Sequence, residues 1–239
     1  MPTVALLAHG AGSCPATARR LLGTAVPPGA TPVAIDARGT VGQVVARIEA
    51  AAAGHDVALV AGISLGAHAT ALWVAGGGPA DRVLLVMPAW TGLPGDVAAL
   101  TRSSADAVRA RGRAHVLADA MCAVEPGDWV LDELRRGWAA YDDDTLADAL
   151  RAAATSPAPT LEVLATIARP TAVVALADDP LHRLEVAQSW AAAVPDARLA
   201  VVGRHAPSTD RGALGRAGLA ALDAHTTLRD TRGVPRETP

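Results

Sequence analysis

The chain has 239 residues, of which 51% are apolar, and a formal net charge of −3. This length suits one α/β domain with a small insertion. The near-neutral charge excludes the strong basic or acidic field of a protein that binds nucleic acid or a membrane surface. We therefore expect a small-molecule partner, with no nucleic acid, membrane, cofactor or metal, and a homo-oligomer stays open.

The two cysteines, Cys14 and Cys122, lie far apart in the sequence. Two cysteines without an export signal fit a reducing cytoplasm better than a disulfide framework. Residues 57–80 carry no Asp, Glu, Lys or Arg and are long enough to cross a bilayer, but Ser64, His68 and a glycine-proline break interrupt them. The segment is predicted as a buried strand, a turn and a helix of a cytoplasmic protein.

Short apolar runs alternate with helical patterns along much of the chain. The runs are typical of buried parallel strands and occupy residues 3–8, 32–36, 57–61, 82–88, 171–177 and 198–202. After the second run, Thr40 is predicted to cap a helix whose apolar residues recur with a helical period. The alternation predicts an α/β fold built on a parallel sheet.

The segment 62–66, GISLG, joins the third run to a helix. Its two glycines let the backbone turn sharply, which presents the Ser64 hydroxyl at the carboxyl edge of the sheet, in front of the free N–H groups of the helix. This G-x-S-x-G pattern predicts a nucleophilic serine. The alternative is that Ser64 only caps the helix.

The segment 9–13, HGAGS, directly follows the first run. Gly10 and Gly12 allow backbone N–H groups to approach a ligand closely, and the N–H of Ala11 is the candidate oxyanion donor. An ordinary glycine turn is the alternative.

Two aspartates and a histidine follow the last two runs. Asp178 and Asp179 come after the fifth run, and His205 comes after the sixth. Because the carboxyl ends of parallel strands meet at one edge of a sheet, Ser64, one of these aspartates and His205 can converge there.

The choice of acid and base leaves alternatives. Asp179 is preferred because it stands next to Pro180, where the chain has left the strand, but Asp178 or Asp96 could take its place. His205 is preferred by its position over the other histidines, which are His9, His55, His68, His115, His182 and His225.

Residues 95–168 change to a helical period without any strand-like run, and they are predicted as a helical lid. Trp138 and Tyr141 share an apolar helix face there and are candidates to line the substrate pocket. Trp90, after the fourth run, either lines the same pocket or packs over the sheet edge. The acidic run 142–144 is predicted to cap a helix, and the acids predicted to face solvent are Glu125, Asp128, Asp132 and Glu133.

Together the HGAGS loop, the GISLG elbow, DDPLH at 178–182 and GRHAP at 203–207 resemble small, lid-bearing members of the α/β-hydrolase fold superfamily. The resemblance covers residues 3–224. It implies a three-layer sandwich whose mostly parallel, six-stranded sheet lacks the first two strands of the full fold. The predicted segments are a core of residues 1–94 and 169–226, a lid of 95–168 and a polar tail of 227–239.

The same resemblance implies a Ser64-Asp179-His205 triad, with backbone N–H groups of Ala11 and Leu65 as oxyanion donors. Residues 176–177 are Leu-Ala where a glycine is usual, which leaves the choice between the two neighbouring aspartates open.

The implied activity is hydrolysis of a carboxylic ester or thioester with a small, largely apolar acyl group, through an acyl-enzyme. One alternative is a non-hydrolytic or ligand-binding protein of this fold. The other is a lactonase, amidase or carbon–carbon hydrolase with the same triad.

Overall fold

A computed structural model describes residues 1–123 and 128–232 of the chain. Six strands form one sheet in the order β2-β1-β3-β4-β5-β6, and every neighbouring pair runs parallel. The strands are β1 (Thr3–Ala8), β2 (Thr31–Ile35), β3 (Asp56–Ile63), β4 (Val83–Val86), β5 (Thr171–Leu176) and β6 (Ala197–Val202). The predicted six-stranded α/β fold is confirmed.

Helices cover both faces of this sheet, which explains why the inner strands are almost continuously apolar. One core layer lies between the sheet and α2 (Val41–Ala52), α3 (Leu65–Ala75) and α9 (Leu184–Ala193). The other lies between the sheet and α1 (Pro15–Leu22) and α11 (Ala213–Arg232). The result is the predicted three-layer sandwich.

Helix α2 shows how a local signal starts a crossover helix. The Thr40 hydroxyl accepts a hydrogen bond from the Gln43 backbone N–H, and the Gln43 side chain accepts one from the Thr40 N–H. This reciprocal pair satisfies two N–H groups that the helix itself leaves free. The predicted Thr40 cap is present.

The described part of the segment between β4 and β5 contains five helices joined by loops and no strand. Its helices are α4 (Asp96–Arg111), α5 (Arg113–Ala123), α6 (Trp129–Trp138), α7 (Asp143–Thr155) and α8 (Leu161–Leu164). They bury an apolar cluster of their own, chiefly between α4 and α7. Asp142 caps α7 through the Thr145 N–H, as its sequence position predicts. The role of this segment as a lid stays a prediction.

Helix α11 continues to Arg232, so residues 227–232 of the predicted tail are helical. Residues 233–239 and Glu125 lie outside the described residues. Among the described helices, none combines the length and apolar character needed to cross a bilayer. The described residues also contain no group of three or more His, Cys, Asp or Glu side chains placed to hold a metal ion.

The described residues also contain two short helical turns. A 3₁₀ turn, Gly23–Ala25, follows α1, and α10 (Ala206–Thr209) follows β6. Helix α10 begins directly after His205, the predicted base, and so fixes the position of that residue.

Candidate active site

Ser64 lies between β3 and α3 in a strained backbone conformation, with φ 53° and ψ −114°. The two flanking glycines are required by close backbone approach. A Cβ on Gly62 would lie 2.2 Å from the Gly66 carbonyl oxygen, and a Cβ on Gly66 would lie 2.6 Å from the Ala8 carbonyl oxygen. Strain of this kind is held in place at functional sites by the surrounding structure. The Ser64 side chain makes no capping hydrogen bond, which argues against a purely capping role.

The HGAGS loop packs directly against this serine. A Cβ on Gly10 would lie 3.3 Å from the Ser64 Cβ, so a larger residue would crowd the nucleophile. The buried His9 ring fixes the loop: its Nε2 accepts the Ala37 N–H at 2.9 Å, so its Nδ1 donates to the Gly10 carbonyl at 2.8 Å. Burial lowers the pKa of His9, which favours this neutral tautomer.

His182 occupies the place that the sequence assigned to His205. Its Nε2 lies 3.1 Å from the Ser64 Oγ, within hydrogen-bond distance. His205 is exposed at the start of α10, and among the contacts of the described residues it has none with Ser64 or Asp179. The prediction of His205 as the triad base is therefore corrected to His182 as the histidine that meets the serine.

Asp179 is the carboxylate that faces this histidine. Its Oδ1 lies 3.5 Å from the His182 Nδ1, and its side chain is only 5% exposed. Burial alone would raise its pKa, but the His182 ring and the backbone N–H groups of Leu181 and His182 hold the pKa of Asp179 well below its usual range. The alternatives, Asp178 and Asp96, are both exposed.

A local turn brings the ring and the carboxylate together. Asp178 adopts a positive φ of 58°, which turns the chain as it leaves β5. Asp179 Oδ1 then accepts the N–H groups of Leu181 and His182, each at 2.8 Å, in an Asx-type turn. The sequence signal for this turn was the Asp-Pro pair three residues before the histidine, which sequence reasoning used for the acid and not for the base.

Two cavities meet at Ser64. The α1 cavity, of about 150 Å³, is bounded by α1, α6 and the loop after β5, and charged side chains at its wall are Glu133, Asp179 and Arg204. The α4 cavity, of about 230 Å³, is bounded by α4, α6 and α7, and among the described residues that line it His182 is the only ionisable one. Residues common to both are Ala11, Ser64, Val130, Leu134, Leu181 and His182.

The three predicted pocket residues separate in the structure. Trp90 and Trp138 both line the α4 cavity. Tyr141 lines neither cavity, because its hydroxyl donates to the Ser13 carbonyl at 2.7 Å and its ring packs in the α4–α7 cluster. Burial raises the pKa of Tyr141. Tyr141 is therefore corrected from a pocket residue to one that joins the helical segment to the HGAGS loop.

Glu133 is also corrected, because it is buried and does not face solvent. Its carboxylate accepts hydrogen bonds from the Thr17 hydroxyl at 2.9 Å and from the Arg20 guanidinium at 2.5 and 3.1 Å. These bonds join α6 to α1 beside the α1 cavity. The helical period of α6 could not reveal this partner, which lies 113 residues away in sequence.

No protein-family model matches this chain, and no curated protein matches it in sequence. Solved structures match it over nearly its full length. BpoC from Mycobacterium tuberculosis H37Rv is 18% identical with a TM-score of 0.70, and the match covers 94% of this chain and 93% of that one. An enol-lactonase from Burkholderia xenovorans LB400 is 18% identical with a TM-score of 0.66, covering 98% and 92%.

A thermophilic esterase from Thermogutta terrifontis is 15% identical with a TM-score of 0.61, covering 97% of this chain and 89% of that one. Identities this low show a shared fold and leave activity open. The parallel sheet, the serine elbow and these structural matches together establish that the chain has the α/β-hydrolase fold.

Proposed function

We propose that the protein is a serine hydrolase that cleaves carboxylic esters or thioesters through a Ser64-His182-Asp179 triad. The observation that carries the proposal is the 3.1 Å contact between the His182 Nε2 and the Ser64 Oγ at a strained elbow. A serine hydroxyl becomes an effective nucleophile when an adjacent base accepts its proton. The carboxylate of Asp179 stands on the other side of the ring, where it can orient the base and stabilise the imidazolium.

In the proposed reaction, Ser64 attacks the acyl carbonyl while His182 takes the hydroxyl proton. The ring then gives this proton to the leaving alcohol or thiol, and a water activated by the same ring releases the acid. The proposed oxyanion donors are the backbone N–H groups of Ala11 and Leu65. Leu65 is the first residue of α3, whose initial N–H groups have no partner within the helix, and Ala11 lines both cavities.

The two cavities support a division of the substrate at the reacting carbonyl. The α4 cavity suits the acyl group, because its wall is formed mainly by Trp, Leu and Val side chains, and its described lining residues include no Lys or Arg to pair with a charged acyl chain. A cavity of about 150 Å³ accepts a benzene-sized group, so the larger α4 cavity should hold about nine carbon atoms. The α1 cavity, with its charged wall, suits a more polar leaving group.

The test is active-site labelling combined with a substrate panel. A fluorophosphonate should label wild-type protein stoichiometrically at Ser64, and S64A should stay unlabelled while keeping the wild-type circular dichroism spectrum. The panel compares acyl esters, acyl thioesters, lactones and amides of equal acyl length, followed by an acyl-length series for the best class.

Hydrolysis of the esters or thioesters, lost in S64A, supports the proposal. Absence of labelling and of turnover contradicts it and favours a ligand-binding protein of this fold. A panel in which only lactones or amides react keeps the triad and overturns the ester or thioester assignment.

A further inference from the structure

The loop after β6 supplies an arginine to the acid. The Arg204 Nη1 lies 3.2 Å from the Asp179 Oδ2, and its Nη2 lies 3.4 Å from the Asp128 Oδ2. Its backbone carbonyl accepts the Trp129 indole N–H at 2.9 Å. The Arg204 side chain is 23% exposed and lies at the wall of the α1 cavity. Arg204 therefore contacts the loop after β5 and the start of α6 at the same time.

The second partner of Arg204 controls the start of α6. Asp128 precedes this helix, and its Oδ1 caps it by accepting the Val130 N–H at 2.7 Å while its Oδ2 faces Arg204. Val130 and Leu134, one turn further along, line both cavities. The position of the α6 wall beside Ser64 is thus linked to Arg204 through one carboxylate.

We propose that Arg204 is a positioning residue that holds Asp179 against His182 and joins this acid–base pair to the helix that lines both cavities. This inference rests on the proposed function, because it assigns a role within the same triad. Among the described hydrogen bonds and ion pairs, Arg204 makes none with Ser64 or with the His182 ring, so its effect passes through Asp179.

The charges explain why a cation is needed at this place. The side chains of Asp179 and Asp128 are only 5% and 11% exposed, and Arg204 is the cation between them. Without it, two poorly hydrated carboxylates would repel each other, and Asp179 would lose the bond that fixes its Oδ2. Only the backbone N–H groups of Leu181 and His182 would then hold the carboxylate, through its Oδ1.

The Arg204 charge also opposes protonation of the His182 ring, since it neutralises part of the field of Asp179. Loss of the charge should therefore favour the protonated ring and move the acid limb of kcat/KM to higher pH. The other charged or titratable groups around the ring are Asp178, Asp179 and Arg183 of its own loop, His68 of α3, and Asp128 and Glu133 at α6.

The experiment compares R204Q with R204K and with a matched control, R211Q. Arg211 also pairs with α6, through Asp132 at 3.2 Å and Glu133 at 3.8 Å, but has no described contact with Asp179. All variants are measured for kcat, KM and the pH dependence of kcat/KM on one substrate that the wild type hydrolyses. The ring resonances of His182 are titrated by NMR in parallel, which gives a readout independent of turnover.

We expect R204Q to lower kcat by about a hundredfold, because a small misplacement of the acid is enough for such a loss. Its acid limb and its His182 titration should both move to higher pH. R204K keeps the positive charge, so its acid limb should match that of the wild type, and its kcat should lie between those of the wild type and R204Q. If R204Q does not fold, R204K provides the test. R211Q should change neither kcat nor the limb.

The inference is overturned if R204Q has the wild-type kcat and an unshifted acid limb. It is also overturned if R204Q and R211Q show an equal loss of kcat and neither acid limb shifts. The second result would mean that Arg204 only fastens α6. If R204Q does not fold, a shifted limb in R204K overturns it. Failure of the proposed function is distinguishable, because it appears as absence of fluorophosphonate labelling in the wild type.

Discussion

The Ser64 Oγ and the His182 Nε2 lie 3.1 Å apart although 118 positions separate the two residues in sequence. Strand β3 delivers the serine and the loop after β5 delivers the histidine, with β4 between them in the sheet. This contact places an imidazole beside the proposed nucleophile without any contribution from His205. Two histidines at one edge of the sheet can therefore be distinguished by substitution.

We predict that H182Q loses activity and that H205Q keeps it. Removing the base of a serine triad lowers kcat on the order of a millionfold, whereas an exposed histidine contributes little. Steady-state hydrolysis of one ester by both variants provides the measurement, and thermal unfolding controls for stability. Near-normal turnover by H182Q, or collapse of H205Q, would return the base to His205.

The acid is tested by three amide substitutions. D179N should lower kcat by about four orders of magnitude, because the amide can no longer stabilise the imidazolium and favours the wrong ring tautomer. D178N and D96N are matched controls at exposed positions and should stay near the wild-type rate. A collapse in either control, with D179N active, would contradict the assignment.

The α4 cavity predicts how acyl-length preference responds to Trp138. W138L removes part of an indole from the cavity wall, so the preferred acyl chain should become longer or bulkier. Y141F is the control, because it loses the bond to the Ser13 carbonyl but leaves the cavity wall intact. Its acyl profile should match the wild type while the free energy of unfolding falls by about 1 kcal/mol. Identical profiles for W138L and wild type would show that the indole only packs.

The buried His68 predicts a loss of stability in acid. Burial lowers the pKa of His68 to about 3, from 6.5 for an ordinary histidine, and its Nε2 accepts the Ala89 N–H at 3.1 Å. Between these two values the unfolded chain binds a proton that the folded chain excludes, so stability is complete above pH 6.5 and falls as the pH drops toward 3. The slope is about 1.4 kcal/mol per pH unit.

This prediction is measured by urea unfolding of wild type and H68Q at pH 8 and pH 5. Gln can still accept the Ala89 N–H but cannot take up a proton. The wild type should lose about 2 kcal/mol more than H68Q between these pH values, since groups common to both proteins cancel. Equal losses would mean that the His68 ring is not held neutral.

The sequence was sufficient for the fold because each element carries its own signal. Continuous apolar runs located all six strands, and Thr40 and Asp142 located two helix starts. The elbow was predictable because only glycine fits at positions 62 and 66. A Cβ at either position would collide with the backbone where the strand and the helix approach so closely. These are local patterns, and they determine local structure.

The histidine that contacts Ser64 was not predictable in the same way, because both His182 and His205 follow a strand at the same edge of the sheet. What distinguishes them is the direction of each side chain after a turn. Asp179 folds His182 back toward the serine, whereas the chain after β6 starts a helical turn that leaves His205 outside and Arg204 inside. The order of the strands places both histidines at one edge of the sheet, but it does not determine where their side chains point.

Asp179 and His182 lie three residues apart, on the single loop between β5 and α9, and this spacing affects how relatives of the chain can be recognised. A search pattern that requires a histidine after the last strand would select the exposed His205 and pass over the ring that touches the serine. A pattern built on the turn, with an aspartate, a proline and a histidine at its first, second and fourth positions, would find chains that carry the proposed acid and base in one segment. Such a pattern could be applied to a sequence fragment that ends before β6.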